Sequence, residues 1–217
     1  MQTISSSTSS RRGSQRERLL RALAESCATR GYGATTIAAV CEPAGVSRAT
    51  FYELFRDKDD CMRAAMELSL AEATSAVAAA SAPGDKDWPE LVRDTAATLL
   101  ELLASQPAFA RMALIEAPSA GPEAFALYTS GKRVLEAVLD RGRGIGEAAP
   151  IPASAARAAL AAAESLVVGR ILAGDGERLP ELLPDVVYVV TVPYLGREAA
   201  LRAAGAPARP AAPAGRY

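Results

Sequence analysis

The sequence contains no histidine. That absence removes the usual general base, the Ser-His and Cys-His nucleophile pairs and most zinc sites. Its three cysteines, Cys27, Cys41 and Cys61, show no CxxC spacing, so neither a thiolate metal site nor a disulfide framework is suggested. Each stands in an apolar helical stripe, where a free thiol serves as a small core residue. Aromatic residues make up only 5% of the chain, and β-branched runs are scarce outside Val186 to Val192. No apolar run reaches the ~18 residues of a membrane span, and the Ser-rich start lacks the apolar stretch of a secretory signal. The expectation is a soluble, cytoplasmic protein that is not an enzyme and carries no cofactor and no metal.

Half of the 217 residues are apolar and alanine is abundant. Alanine and leucine favour helix, so the predicted fold class is all-α. The net charge of −1 hides an uneven distribution. Residues 1–58 hold nine basic and five acidic side chains, a balance of +4, which leaves −5 for the remainder. A basic head on an acidic body fits a local footprint on DNA.

The stretch Thr35 to Lys58, TTIAAVCEPAGVSRATFYELFRDK, organises that head. Ile37, Val40 and Cys41 fall at helical spacing after Thr35 or Thr36 as N-cap, and Gly45 follows where the chain must take a positive φ. Ser47 caps a second helix through Phe55, with Phe51 and Phe55 facing inward. Two helices joined by a short turn containing glycine form a helix-turn-helix, whose second helix lies in a DNA major groove.

This stretch resembles the DNA-binding domain of the TetR family of repressors. Gly31-Tyr32, Thr35-Thr36-Ile37, Ala44-Gly45-Val46-Ser47, Thr50-Phe51-Tyr52, Phe55 and Lys58 carry the resemblance, which covers roughly Arg16 to Met66. Tyr194-Leu195-Gly196-x-Glu198-Ala199-Ala200 is similar to the end of many members. The resemblance implies DNA contacts from Thr36, Ser47, Arg48, Ala49, Thr50, Tyr52 and Lys58. Arg48 and Ala49 lie in the first turn of the recognition helix, and Arg48 can donate two bonds to guanine, worth ~1–3 kcal/mol of discrimination. Thr50 suits a phosphate or a thymine methyl. Tyr52 and Lys58 resemble a tyrosine and a lysine that meet backbone phosphates. Pro43, Glu53 and Leu54 depart from the family pattern, and Pro43 predicts that the first of the two helices ends early or in a distorted turn.

In chain order, residues 1–13 are expected to be a disordered N-terminal arm and 14–60 the helix-turn-helix domain. Residues 61–204 form a helical effector-binding and dimerisation domain, and 205–217 a disordered tail. Helices are predicted at Ser14 to Arg30, Thr36 to Ala44 and Ser47 to Phe55, followed by one from Asp57 toward Ala80. After a break at Ser81 to Asp85 come Trp88–Ser105, Pro107–Glu116, Pro122–Arg141, Pro152–Ala173 and Leu179–Ala204.

The last two of these are apolar on more than one face, which implies burial against further protein. The resemblance implies that this protein is a second copy, docked through Leu160, Val167, Ile171, Leu183, Val186 and Val190. A twofold dimer presents two recognition helices, so the operator is expected to be a palindrome. Trp88, Phe109, Met112, Glu116, Phe125 and Tyr128 mark the middle helices, where the resemblance implies a pocket for a small apolar effector. Taken singly, each of those apolar residues fits a core equally well. The predicted function is a homodimeric DNA-binding repressor released from a palindromic operator by a small molecule. The alternative is a DNA-binding regulator without such an effector, controlled by a protein partner or constitutive.

Overall fold

A computed structural model describes residues 3–81, 86–145 and 151–205, and among these every regular element is helical. The helices are α1 (Thr3–Arg30), α2 (Ile37–Ala44), α3 (Arg48–Leu54), α4 (Lys58–Ala80), α5 (Trp88–Ser105), α6 (Pro107–Arg111), α7 (Pro122–Asp140), α8 (Ala155–Leu172), α9 (Leu183–Leu195) and α10 (Arg197–Ala203). The predicted tail lies outside the described residues apart from Gly205.

α1 starts at Thr3, well before Ser14, so the expected arm is helical over the residues described. No proline interrupts this stretch. Gly13 alone costs ~1 kcal/mol, and a helix already anchored adds a hydrogen bond for each further residue it fixes. The anchor is the stripe Leu19, Leu20, Leu23, Ala24 and Cys27, all buried as its spacing predicts. Gly31 stops the helix at φ +81, its amide donating to the Cys27 carbonyl at 2.9 Å.

The two threonines that follow divide their work. Thr36 caps α2 by accepting the Ala39 amide at 3.2 Å. Thr35 is buried, shares a hydroxyl bond with Ser26 at 3.1 Å and donates to the Gly31 carbonyl at 2.8 Å. α2 runs through Pro43 to Ala44, against the expectation of an early or distorted end. Pro43 sits in the last turn, where only one helical bond is lost. Gly45, in the left-handed region at φ 60, then turns its amide back onto the carbonyls of Cys41 and Glu42.

α3 and α4 begin as their caps dictate. Ser47 Oγ accepts the Thr50 amide at 3.0 Å, and Asp57 accepts the Asp60 amide at 2.8 Å. Phe51, Phe55, Val40 and Val46 close this small core with Cys61, Met62 and Met66 from α4. Each large side chain so buried contributes about 1.5–3 kcal/mol. The same core continues into Met112, Ala117, Ala120 and Ala124, so the second half of the chain packs directly on the head.

Beyond α4, two predicted helices are broken. Pro107–Glu116 is α-helical only to Arg111; Met112–Glu116 winds as a π-turn and Ala117–Ser119 as a 3₁₀ turn. Leu179–Ala204 divides into a 3₁₀ turn over Gly176–Leu182, then α9, then α10, with Gly196 at φ 74 between the last two. Proline sets the first division: Pro180 interrupts regular winding and Pro184 sits in the first turn of α9. A second core joins α5, α8 and α9 around Trp88, Val92, Ala159, Ala163 and Tyr194. Trp88 Nε1 donates to the Val138 carbonyl at 3.1 Å and its ring lies 5.0 Å from that of Tyr194. A Cβ on Gly142 would stand 2.4 Å from the indole, so only glycine fits there.

Candidate nucleic-acid interface and effector cavity

The buried ring of Phe51 turns the other face of α3 outward. Arg48, Ala49, Tyr52 and Glu53 are exposed, with Ser47 beside them at the cap and Thr36 on α2. Tyr52 is 58% exposed, an unusual state for so large a ring, and stands edge-on to Phe51 at 5.6 Å. Arg48 forms no ion pair among the described residues. Thr50 is half-buried and shares a hydroxyl bond with Ser47 at 3.0 Å, so both hydroxyls already have a local partner.

Lys58 is differently placed from the other members of the predicted set. Its Nζ donates to the carbonyls of Tyr32 at 2.9 Å and Thr35 at 3.0 Å, over the Tyr32 ring at 4.0 Å. The ammonium therefore closes the turn between α1 and α2, with one donor left over. The Tyr32 hydroxyl bonds the Asp59 carboxylate; burial first, and that carboxylate second, push the phenol far above its ordinary range.

Asp60 fixes the joint between α3 and α4. Its carboxylate accepts from Arg63 at 2.6 Å and from the Arg56 amide at 3.0 Å, with the Arg56 guanidinium at 3.5 Å. The Arg63 bond above all holds its pKa down to about 2. The three thiols are buried, and burial pushes Cys27 up to about 11 and Cys61 up to about 12. Neither is poised as a nucleophile.

A cavity of about 220 Å³ lies between α4, α5, α6, α7 and α8. Met66, Leu70, Leu99, Leu103, Phe109 and Leu135 are among the apolar residues of its wall. At the α7–α8 side stand Tyr128, Lys132 and Glu164. The Tyr128 hydroxyl donates to Glu164 Oε1 at 2.7 Å, and Lys132 Nζ donates to the Tyr128 oxygen at 2.8 Å and to Glu164 Oε2. Burial opposes the charge on Lys132, but the bonds to Glu164 and Tyr128 outweigh it and raise its pKa.

Of the six residues expected at a pocket, only Phe109 and Tyr128 line this one. Trp88 belongs to the second core and Met112, fully buried, to the core of the head. Phe125 is 49% exposed at the start of α7. Glu116 points away from the cavity and accepts the Tyr32 amide at 2.8 Å. Lys132 and Glu164 were missed. The available signal was Lys132 one helical turn after Tyr128 on a face otherwise apolar.

The residues expected to form a dimer contact lie in or against the second core. Val167, Ile171, Val186 and Val190 are buried within this one chain, while Leu160 and Leu183 are half-buried against the same core. The outward face of α8 is instead Ala158, Ala162, Ser165, Leu166, Gly169 and Leu172, with Leu172 58% exposed. Because α8 is rich in alanine on every side, its sequence period does not mark which face turns inward.

Residues 19–65 match the family described as bacterial regulatory proteins, tetR family. No curated protein matches the chain. Among solved structures, the fatty acid degradation regulator FadR from Bacillus halodurans is similar at 15% identity and a TM-score of 0.72, over 85% of this chain and 96% of that one. FadR from Bacillus subtilis, in complex with stearoyl-CoA, is 18% identical at a TM-score of 0.67, over 83% and 98%. A TetR family transcription regulator from Marinobacter aquaeolei VT8 is 25% identical at a TM-score of 0.64, over 82% and 97%. The matched segment is the one that builds the exposed α3 face. On this ground residues 19–65 are a DNA-binding domain of the tetR family of bacterial regulatory proteins, and the chain as a whole shares the fold of those solved regulators.

Proposed function

We propose that the chain works as a homodimer that represses transcription in the cytoplasm from a palindromic operator, and that a small apolar effector releases it. Residues 14–60 are the reading head. Arg48 and Ala49 meet base edges, while Thr36, Ser47, Thr50 and Tyr52 meet the backbone. Lys58 contributes one remaining donor and otherwise braces the turn behind them. Residues 61–204 bind the effector and the second copy, the latter through the outward faces of α8 and α9.

The observation that carries the effector half is the segment Phe109 to Glu116. Phe109, Ala113 and Leu114 line the cavity, whereas Glu116, at the end of the same π-turn, holds the Tyr32 amide of the head. π-turns of this kind recur at functional sites. An occupant that favours a different winding withdraws Glu116 and frees the head, by as much as its affinities for the two arrangements differ. The complex of Bacillus subtilis FadR with stearoyl-CoA supports an apolar occupant for a fold of this kind.

The test is selection of operator DNA from random duplexes by the purified protein at two salt concentrations. Recovery of a palindrome with salt-sensitive affinity is expected. Recovery of a single half-site, or of no preference, defeats the proposal. The recovered operator then reports release by candidate effectors.

A further inference from the structure

We infer that the cavity selects a neutral amphiphile, an apolar chain carrying one hydroxyl or carbonyl oxygen, and that Glu164 is the residue that excludes anionic ligands. The inference rests on the effector reading above and names the class of effector.

Most polar valences of the lining, those of exposed Thr74 apart, are already used. Ser69 Oγ donates to the Ala65 carbonyl at 3.1 Å, and Gln106 Nε2 donates to Glu72 at 3.0 Å at the rim. Both oxygens of Glu164 are occupied, one by the Tyr128 hydroxyl and one by Lys132. The Tyr128 oxygen in turn accepts from Lys132. An ammonium has three protons, so one Lys132 N–H remains, the free donor of this triangle.

One free donor suits one neutral acceptor. A carboxylate placed there would stand beside Glu164, and two carboxylates sharing a site cannot both stay ionised without cost. Lys132 is the sole cation among the described lining residues, against Glu72 and Glu164, so nothing else offsets a ligand anion. A ligand ammonium fares no better, because it would approach the like charge of Lys132, which already neutralises the one carboxylate of the triangle. An alcohol, ketone or ester oxygen takes the free N–H and leaves the ion pair whole. The rest of such a ligand lies against Leu70, Leu99, Leu103 and Leu135.

Equal-length probes separate these cases: 1-decanol, decanoate and decylamine, each below its aggregation limit, with affinity read from thermal unfolding of the full chain. The wild type is expected to bind decanol about tenfold or more tighter than either charged probe. Glu164→Gln frees Lys132 from its carboxylate and is expected to bind decanoate about tenfold tighter than the wild type does. Decanoate or decylamine matching decanol on the wild type overturns the inference, as does a failure of all three to bind. Should Glu164→Gln not fold, the double variant Lys132→Met/Glu164→Leu removes the pair together. It is expected to weaken decanol about tenfold, and an unchanged affinity overturns the inference. Unfolding reads the cavity without DNA, so a wrong order of probes leaves operator recognition standing. Loss of operator selection, with decanol still bound, instead defeats the regulatory reading alone.

Discussion

The carboxylate of Glu116 accepts the backbone amide of Tyr32 at 2.8 Å, a bond between residues 84 positions apart. It joins the wall of the cavity to the turn that ends α1. The same carboxylate lies 3.5 Å from where a Cβ on Gly31 would stand, so the turn and the acid are fitted to each other. Glu116→Ala leaves a half-buried amide without its acceptor, which costs ~1–3 kcal/mol. The expected outcome is a lower unfolding temperature, faster hydrogen exchange at the Tyr32 amide and a head less responsive to effector. Glu116→Gln keeps an oxygen at that position and is expected to stay close to wild type in all three. Equal exchange rates at Tyr32 in wild type and Glu116→Ala would rule out the clasp.

Asp60 supplies a prediction in pH. Its folded pKa is depressed from 3.8 to about 2, the Arg63 hydrogen bond being the largest cause. A depressed carboxylate stabilises the fold above its unfolded pKa, and that contribution is lost as pH falls through the folded value. Asp60→Asn is therefore expected to be less stable than wild type at neutral pH, with the gap closing between about pH 4 and pH 2. Denaturant unfolding at several pH values measures it. A gap that persists unchanged at pH 2 would locate the effect in packing rather than in charge.

The features legible in the sequence were the local ones. Thr36, Ser47 and Asp57 cap helices through bonds spanning three residues, so their role follows from their immediate neighbours. Leu19, Leu20 and Leu23 repeat at helical spacing on a helix otherwise polar, which left one face for burial. Glu116 gave no such signal, because its partner lies in another part of the chain and an acid among apolar residues fits a pocket as readily as a clasp. The inward faces of α8 and α9 were ambiguous for a different reason. Both helices are apolar or small all round, so only the neighbours decide that Val186 turns in and Leu172 out. The π-turn at Met112–Glu116 has no local mark at all; MALIE reads as ordinary helix.

Arg48 and Lys58 are expected to fail in different ways. Arg48 is exposed at the start of α3, so Arg48→Ala should relax base preference, by ~1–3 kcal/mol at one position, without changing stability. Lys58→Ala removes the ammonium that holds the carbonyls of Tyr32 and Thr35. It is expected to lower the melting temperature as well as affinity for all sequences alike. Binding to the selected operator and its single-base variants, with melting curves of the same samples, separates the two. A Lys58→Ala protein of wild-type stability would restore the simple phosphate reading of that lysine.

The face of α8 offers a contrast between two charged substitutions. Leu172→Glu places an acid on the exposed side, where a single chain tolerates it but a docked second copy does not. Val186 is buried at 8% exposure among α5, α8 and α9 of its own chain, and a carboxylate there is enclosed without a partner. Leu172→Glu is therefore expected to give a folded monomer, with operator affinity lost because two linked heads become one. Val186→Glu is expected to unfold the chain, since an unpaired buried charge costs several kcal/mol against a total stability of ~5–15 kcal/mol. Sedimentation and circular dichroism on both variants decide the matter. A Leu172→Glu protein that remains dimeric would move the interface off this face of α8. A folded, monomeric Val186→Glu would return the interface to the side of α9 where the sequence first suggested it.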